Sequence, residues 1–293
     1  MACNHPITGW RTSEGKVTFK PNEGYTDKPV TVNCGQCRAC RLERSRQWAV
    51  RIMHEAQMNE NNHFVTFTYN NEHLPAGGTL QKEDFQKWAK RWRKQNGKFR
   101  YFHCGEYGEL RGRPHYHACV FGMEIQDLIE AGKTKSGHPA LESEELKHSW
   151  GKGNVQVGRL TFESAAYTAR YIMKKVTGDA AEEHYTDRQT GEIREREYVT
   201  MSRRPGIGKE WYDKYKKDVY PRDEIFINGK YARPPKFYDG QYELEDEDEF
   251  RKIKKRRVRA GRKREQDNTP ERRRTKESLL KRKEQQFARD YEE

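Results

Sequence analysis

The stretch Arg113-Pro114-His115-Tyr116-His117-Ala118-Cys119-Val120-Phe121 sets two histidines on either side of a bulky residue and then runs on into β-prone apolar residues. On a strand, successive side chains point to opposite faces, so His115 and His117 share one face. Tyr116, Ala118 and Val120 take the other face, toward a core. Two imidazoles about 6–7 Å apart along a strand can share one divalent ion. Taken alone, the same three letters equally describe two ordinary, half-exposed strand histidines.

Working outward, Phe99 to Glu106 reads as a preceding strand and Gly108 to Arg113 as the turn between them. A hairpin centred near Leu110 and Arg111 sets Glu106 opposite His115, and cross-strand partners share a face. Two nitrogens and one carboxylate oxygen suit Mg²⁺ or Mn²⁺ bound together with a phosphate substrate. Glu109, in the turn, is the competing carboxylate. Further upstream, His63 to Asn70 alternates like a strand, and Asn70, Asn71, Pro75, Gly77 and Gly78 mark a loop. Thr79 is placed to cap a helix reaching Asn96, with Phe85, Trp88, Ala89 and Trp92 as its buried stripe. Downstream, residues 122–150 read as a surface helical insertion with a polar loop at Gly132 to Gly137. Asn154 to Leu160 is a further strand, and Thr161 to Val176 a helix stopped at Gly178. Its core stripe is Ala169, Ile172, Met173 and Val176. Tyr167 and Tyr171 stand four residues apart on one helix face, with Lys174 and Lys175 a turn further on. Such tyrosine pairs commonly serve packing. The order strand, helix, hairpin, strand, helix predicts an α+β fold: a central antiparallel sheet with packed helices.

The 293 residues are 33% hydrophobic and 35% charged, so part of the chain is expected outside any packed core. The net charge of +13 and pI near 9.3 call for an anionic partner, with nucleic acid first. No apolar run is long enough to cross a bilayer and no signal-peptide pattern opens the sequence, so a soluble, intracellular protein without membrane partners is expected. Six cysteines then read as metal ligands or free thiols. Cys34-Gly35-Gln36-Cys37-Arg38-Ala39-Cys40 has two-residue spacers that let thiolates converge on one ion, and Gly35 permits the tight turn. Cys3 as fourth ligand completes a structural Zn²⁺ site; His5 is the alternative, and reduced cysteines at a helix start the plain reading.

From Arg38 to about Met58 a helical stripe of Leu42, Ser45, Ala49, Ile52, Met53 and Ala56 is flanked by Arg41, Arg44, Arg46 and Arg51, taken as a solvated face. Residues 182–200 are charged, with a turn at Asp187 to Gly191. Met201 to Lys209 offers backbone amides together with Arg203, Arg204 and Lys209 for a DNA phosphate. Six acidic side chains fall in residues 243–249, and the last 43 residues carry 18 Lys and Arg against 8 Asp and Glu, hence +10 of the total. This acidic and then basic stretch reads as a charged, flexible tail that meets nucleic acid nonspecifically or turns helical on it. The expected division is 1–60, a Cys-rich segment and helix; 61–180, the core; 181–240, an accessory basic region; and 241–293, the tail.

As an ordered set, strand Phe64–Asn70, then His115-Tyr116-His117, then the helix bearing Tyr167 and Tyr171 resembles the three motifs of HUH-endonuclease rolling-circle replication initiators. The paired tyrosines, Cys34-Gly35-Gln36-Cys37, Glu106-Tyr107-Gly108 and Met201-Ser202-Arg203-Arg204-Pro205-Gly206 are similar to the initiators of gokushovirus-type microviruses. The resemblance spans about residues 30 to 210. It departs at Tyr116, amphipathic where the motif has a hydrophobe. It implies a metal-dependent nicking and joining enzyme with His115, His117 and Glu106 on Mg²⁺ or Mn²⁺. Tyr167 and Tyr171 would be alternating nucleophiles forming 5′-phosphotyrosine on single-stranded viral DNA at the replication origin. Lys174 or Lys175 would hold the phosphate or lower the phenol pKa. A free 3′-hydroxyl would serve the host DNA polymerase in the cytoplasm of a bacterial host cell. No Gly-x-x-x-x-Gly-Lys-Ser/Thr pattern occurs, so unwinding is expected from a host helicase. The competing readings are a noncatalytic DNA-binding or packaging protein and a transposase or relaxase of the same superfamily.

Overall fold

A computed structural model of the chain describes residues 3–108, 112–133, 137, 139–174, 180–186 and 191–286; the side chains of 171–174, 180 and 283–286 are not among them. The elements in chain order are β1 (Ile7–Arg11), β2 (Val17–Thr18), β3 (Pro29–Val32), α1 (Arg38–Ala56), β4 (His63–Thr68), α2 (Lys82–Asn96), β5 (Arg100–Tyr107) and β6 (Pro114–Phe121). There follow β7 (Ile129–Lys133), β8 (Pro139–Glu142), α3 (Glu144–Trp150), β9 (Val155–Arg159), α4 (Phe162–Lys174), α5 (Ala180–Tyr185) and β10 (Tyr198–Met201). The last are α6 (Lys209–Val219), β11 (Ile225–Ile227), β12 (Lys230–Ala232), α7 (Lys236–Glu245), α8 (Glu247–Arg262) and α9 (Pro270–Gln286). The expected α+β class with an antiparallel sheet and packed helices is the observed one.

Two compact units are present. One is Ser45–Glu245; the other joins the chain up to Arg44 with the chain from Asp246 onward. This spatial grouping is a different partition from the linear one read above, because it brings the two ends of the chain into one body. In that body β2-β1-β3 form a small antiparallel sheet. Residues 247–262 and 270–286 of the charged C-terminal stretch are helical, and α8 buries Phe250 and Ile253. That part of the stretch is therefore packed rather than wholly solvated.

The Ser45–Glu245 unit is built on an antiparallel sheet of order β10-β5-β6-β4-β9-β8-β7. Alternation divides its side chains into two cores. On one face Val65, Phe67, Tyr116, Ala118 and Val120 pack against Phe85, Trp88, Ala89 and Trp92 of α2 and Leu146 and Trp150 of α3. On the other, Phe64, Phe102, Cys104, Cys119 and Phe121 meet Ala49 and Ile52 of α1 and Ala165 and Tyr167 of α4. Because both faces are covered, β5 and β6 read as nearly continuous apolar runs rather than a clean half-polar alternation.

Several expectations are corrected. Residues 122–150 are not a helical insertion. They form the β7–β8 hairpin, which extends the sheet, followed by the short α3. The exposed faces of β7 carry no apolar alternation for sequence reading to find. Thr79 does not cap α2. The N-cap position is Gln81, whose N–H donates to the Tyr116 hydroxyl at 2.9 Å, while Thr79 Oγ1 accepts from Glu195 N at 2.8 Å. Arg51 is not on a solvated face: its guanidinium lies 4.0 Å from the Trp48 ring centroid and 3.8 Å from that of Phe237, and Nε donates to the Ile207 carbonyl at 3.0 Å. Residues 180–185 are helical, and beyond them Tyr198–Met201 adds the edge strand β10.

Below α1, His54 is buried, stacked 3.4 Å from Trp211, with Nδ1 3.0 Å from the Tyr238 hydroxyl. Burial lowers its pKa from the ordinary 6.5 to about 3. The folded state thus holds a neutral ring, whereas the unfolded chain binds a proton below about pH 6.5. This contribution to stability is complete above pH 6.5 and is lost as pH falls toward 3, on the order of 4 kcal/mol across that window. His54→Phe is therefore expected to flatten the acid limb of stability. Thermal melts of both proteins at pH 7 and pH 4 check this, and an equally steep acid loss in the variant would refute it.

Candidate active site

The β5–β6 hairpin pairs Glu106 with His115 and Cys104 with His117, and β4 lies on the other side of β6, pairing Thr66 with His117. Glu106, His115 and His117 therefore share one face, as the hairpin reading required. Tyr116 points through the sheet into the opposite core and is fully buried. Its hydroxyl donates to the Gln81 carbonyl at 2.9 Å and lies 2.8 Å from that of Tyr69. An amphipathic residue between the two histidines is thus accommodated by polar groups at the start of α2, away from the site.

Glu106 and His117 are both 4% exposed, and His117 Nε2 lies 2.6 Å from Glu106 Oε1. The Tyr167 hydroxyl donates to the same carboxylate oxygen at 3.2 Å. On its other side, His117 Nδ1 lies 3.0 Å from Thr66 Oγ1. An ionised carboxylate only accepts, so Nε2 carries the hydrogen and Thr66 can donate to Nδ1 of the neutral ring. Phe64 stacks on the imidazole at 5.5 Å with a 6° interplanar angle, and Tyr167 meets it edge-on at 5.2 Å. Both ring nitrogens and both ring faces of His117 are thus constrained, which limits its rotamer freedom.

His115 is half-buried beside this pair. Burial lowers its pKa, the nearby His117 lowers it further, and Glu106 partly opposes both. Its neutral ring is accordingly the favoured form. A Cβ on Gly108 would come within 2.8 Å of His115 Cε1, so the glycine after β5 makes room for the imidazole.

Tyr167 is delivered by α4. Ser45 Oγ on α1 donates to the Ala166 carbonyl at 3.0 Å, and Cys119 Sγ on β6 lies 3.5 Å from Thr168 Oγ1. These contacts set the helix over β6 with Tyr167, only 3% exposed, turned toward Glu106. The backbone of α4 continues through Tyr171 to Lys174, but the side chains of Tyr171 and Lys174, and the whole of Lys175, lie outside the described residues. Glu109 also lies outside them.

The donor set of two imidazoles and a carboxylate is one that divalent ions take, and the neutral His115 ring is in the ligand form. Glu106 and His117 are in direct contact. Together with His115, however, they do not form a set whose ligand atoms all lie within 4.8 Å of one another; among the described residues only Cys3, Cys34, Cys37 and Cys40 do. His5, the alternative fourth ligand, instead places Nε2 3.0 Å from Glu277 Oε2.

Arg203 and Arg204 are exposed, and Lys209 pairs with Asp213 at 2.5 Å. Their loop is held by Arg100, which donates to the Pro205 carbonyl at 2.7 Å, and by Glu55, which accepts from Gly208 N at 2.6 Å. It leaves β10 where Met201 pairs with Phe102, four residues along β5 from Glu106 and so roughly 13 Å away. The structure therefore does not bring these cations to the Glu106 cluster; their reach is to neighbouring nucleotides. Sequence reading passed over Thr66, Phe64 and Ser45, although the alternation of β4 already put Phe64 and Thr66 on one face. Which histidine they would meet depends on strand register, which no local pattern states.

A model of the replication-associated protein ORF2 family matches residues 62–176, the span holding Glu106, both histidines and Tyr167. The chain is 30% identical over 256 residues to Replication-associated protein VP4 of Bdellovibrio phage phiMH2K, covering 83% of this chain and 77% of that protein. It is 32% identical over 276 residues to Replication-associated protein ORF2 of Spiroplasma virus 4, covering 85% and 83%. To Replication-associated protein ORF4 of Chlamydia phage 1 it is 30% identical over 227 residues, covering 73% and 54%. No solved structure matches.

Proposed function

Since the chain belongs to the phage replication-associated proteins, we propose that it starts and ends rolling-circle replication by cutting and rejoining single-stranded viral DNA at the origin through a tyrosine nucleophile. The observation that carries this reading is the buried cluster in which the Tyr167 hydroxyl and His117 Nε2 both meet Glu106 Oε1. A free phenol has a pKa near 10 and is a poor nucleophile at neutral pH. Tyr167 donates to a carboxylate that can accept its proton as the oxygen approaches phosphorus. The new bond joins the tyrosine oxygen to the phosphorus; the bond to the 3′ oxygen breaks, and that oxygen leaves as a hydroxyl once protonated. The products are a 5′-phosphotyrosine and a 3′ end available to the host polymerase.

Glu106, His117 and His115 are the residues that would hold Mg²⁺ or Mn²⁺. Such an ion supplies Lewis-acid polarisation of the scissile phosphate and offsets charge in the transition state. Phe64 and Thr66 keep the imidazole aimed at Glu106, and α1 keeps α4 within reach. A second cut by Tyr171 and attack of the 3′-hydroxyl on the first linkage would then close the circle, with Lys174 or Lys175 holding phosphate. Arg203 and Arg204 suit DNA flanking the cut rather than the scissile group, and duplex unwinding is assigned to a host helicase.

The test is incubation with single-stranded origin DNA and Mn²⁺ or Mg²⁺, followed by denaturing electrophoresis. A covalent protein–DNA adduct is expected, together with rejoined single-strand circles. No adduct with either ion would favour a noncatalytic DNA-binding protein, whereas adduct without circles would favour a transposase-type activity.

A further inference from the structure

We propose that Cys3, Cys34, Cys37 and Cys40 form a structural zinc centre that ties the start of the chain to the first turn of α1. These residues lie outside the span matched by the family model and outside the Glu106 cluster. Their four Sγ atoms all lie within 4.8 Å of one another, with Cys3 3.5 Å from Cys34 and 3.7 Å from Cys37. Four sulfurs at the Zn–S length of about 2.3 Å in a tetrahedron stand about 3.8 Å apart. The observed spacings agree with that edge. They are far beyond the roughly 2.05 Å of a disulfide, and all six cysteines are free. They are also too close for a multi-iron cluster, whose thiolates sit around a core of several irons.

Backbone amides face the sulfurs. Cys34 N donates to Cys3 Sγ at 3.3 Å, Cys37 N to Cys34 Sγ at 3.2 Å, and Asn4 N to Cys37 Sγ at 3.3 Å. Such donors spread the excess negative charge of a tetrathiolate site, as the outer shells of metal centres do. The bend that sets Cys34 and Cys37 on the same side needs a left-handed residue, supplied by Gly35 at φ +75°. Arg44 closes the bend from α1 by donating to the Gly35 carbonyl at 3.2 Å.

The segment enclosed by these ligands also needs a staple. Across β1, β2 and β3 only Gly9 is buried, and Ile7, Val17, Phe19 and Tyr25 are 40–55% exposed. A sheet this small with no apolar interior of its own is normally held by a disulfide or a metal, and binding free energy then becomes folding free energy. Zinc on the four thiolates supplies that, drawing one ligand from the chain start and three from the turn leading into α1.

The full chain purified without chelator is expected to contain one zinc per molecule by elemental analysis. Cobalt substitution should give tetrahedral visible bands and thiolate charge-transfer absorption. Titration of the zinc protein with an organomercurial should release one equivalent of zinc to a metallochromic dye. Cys37→Ser and Cys40→Ser should lose the metal and become sensitive to proteolysis within residues 5–36, whereas Cys104→Ser should keep it. Wild-type protein without metal, with all four thiols open to a thiol reagent in the native state, would overturn the proposal. So would iron with visible sulfide-to-iron absorption, or a Cys3–Cys34 disulfide found by mass spectrometry. Because these readouts do not use DNA cleavage, they stand apart from the nuclease assay.

Discussion

Glu106→Gln is expected to lower origin cleavage by about 10²–10³-fold while leaving the fold in place. The amide has nearly the size of the carboxylate and can still accept from the Tyr167 hydroxyl and donate to an unprotonated His117 nitrogen, so no buried polar atom need be stranded. What disappears is the negative charge, and with it the acceptor for the phenol proton and the strongest ligand for a divalent cation. Cleavage rate, thermal midpoint and DNA affinity measured on the same preparations separate the possibilities. An unchanged midpoint and affinity with cleavage reduced at least a hundredfold is the expected result. Cleavage within threefold of wild type would remove Glu106 from the chemistry and return attention to Glu109.

Tyr167→Phe, combined with Tyr171→Phe, is expected to abolish the covalent adduct, and Tyr167→Phe alone to abolish circle closure while one cleavage persists. Phenylalanine keeps the edge contacts of Tyr167 with His117, at 5.2 Å, and with Phe64, at 6.3 Å, so the local packing of α4 should survive. Only the donor to Glu106 and the nucleophilic oxygen are lost. A covalent linkage located by mass spectrometry on Tyr171 in the single variant, and on neither residue in the double, is the predicted outcome. If the double variant still forms the adduct, the nucleophile lies elsewhere. If the Tyr167 single variant completes the whole cycle, the alternating scheme fails.

Much of the catalytic half of the chain was legible. His115-Tyr116-His117 on a strand, Glu106 across a hairpin and Tyr167 on a helix are each set by local periodicity, and a two-residue repeat leaves little choice of face. The register that pairs Glu106 with His115 followed from the turn at 108–113. The β7–β8 hairpin was not legible, because strands exposed on both faces carry no apolar alternation. Arg51 was misread for a different reason: its partners, Trp48 and Phe237, come from α1 itself and from a helix start 186 residues away, and charge alone says nothing of burial.

By itself, the sequence determined the α+β class, the shared face of the two histidines with Glu106, the four cysteines spaced for one ion, and the basic balance that calls for nucleic acid. These properties are local, or sums over the chain, and need no knowledge of long-range packing. Tertiary structure alone decided that Tyr167 donates to the same carboxylate oxygen that His117 touches, and that Thr66 and Phe64 hold that imidazole. It also set Arg203 and Arg204 a strand's length from the cluster and joined the acidic and basic C-terminal helices with the N-terminal cysteines in one unit. Each of these depends on which distant segments share a core, and that choice is made by the summed burial of many side chains rather than by any pattern within a few residues.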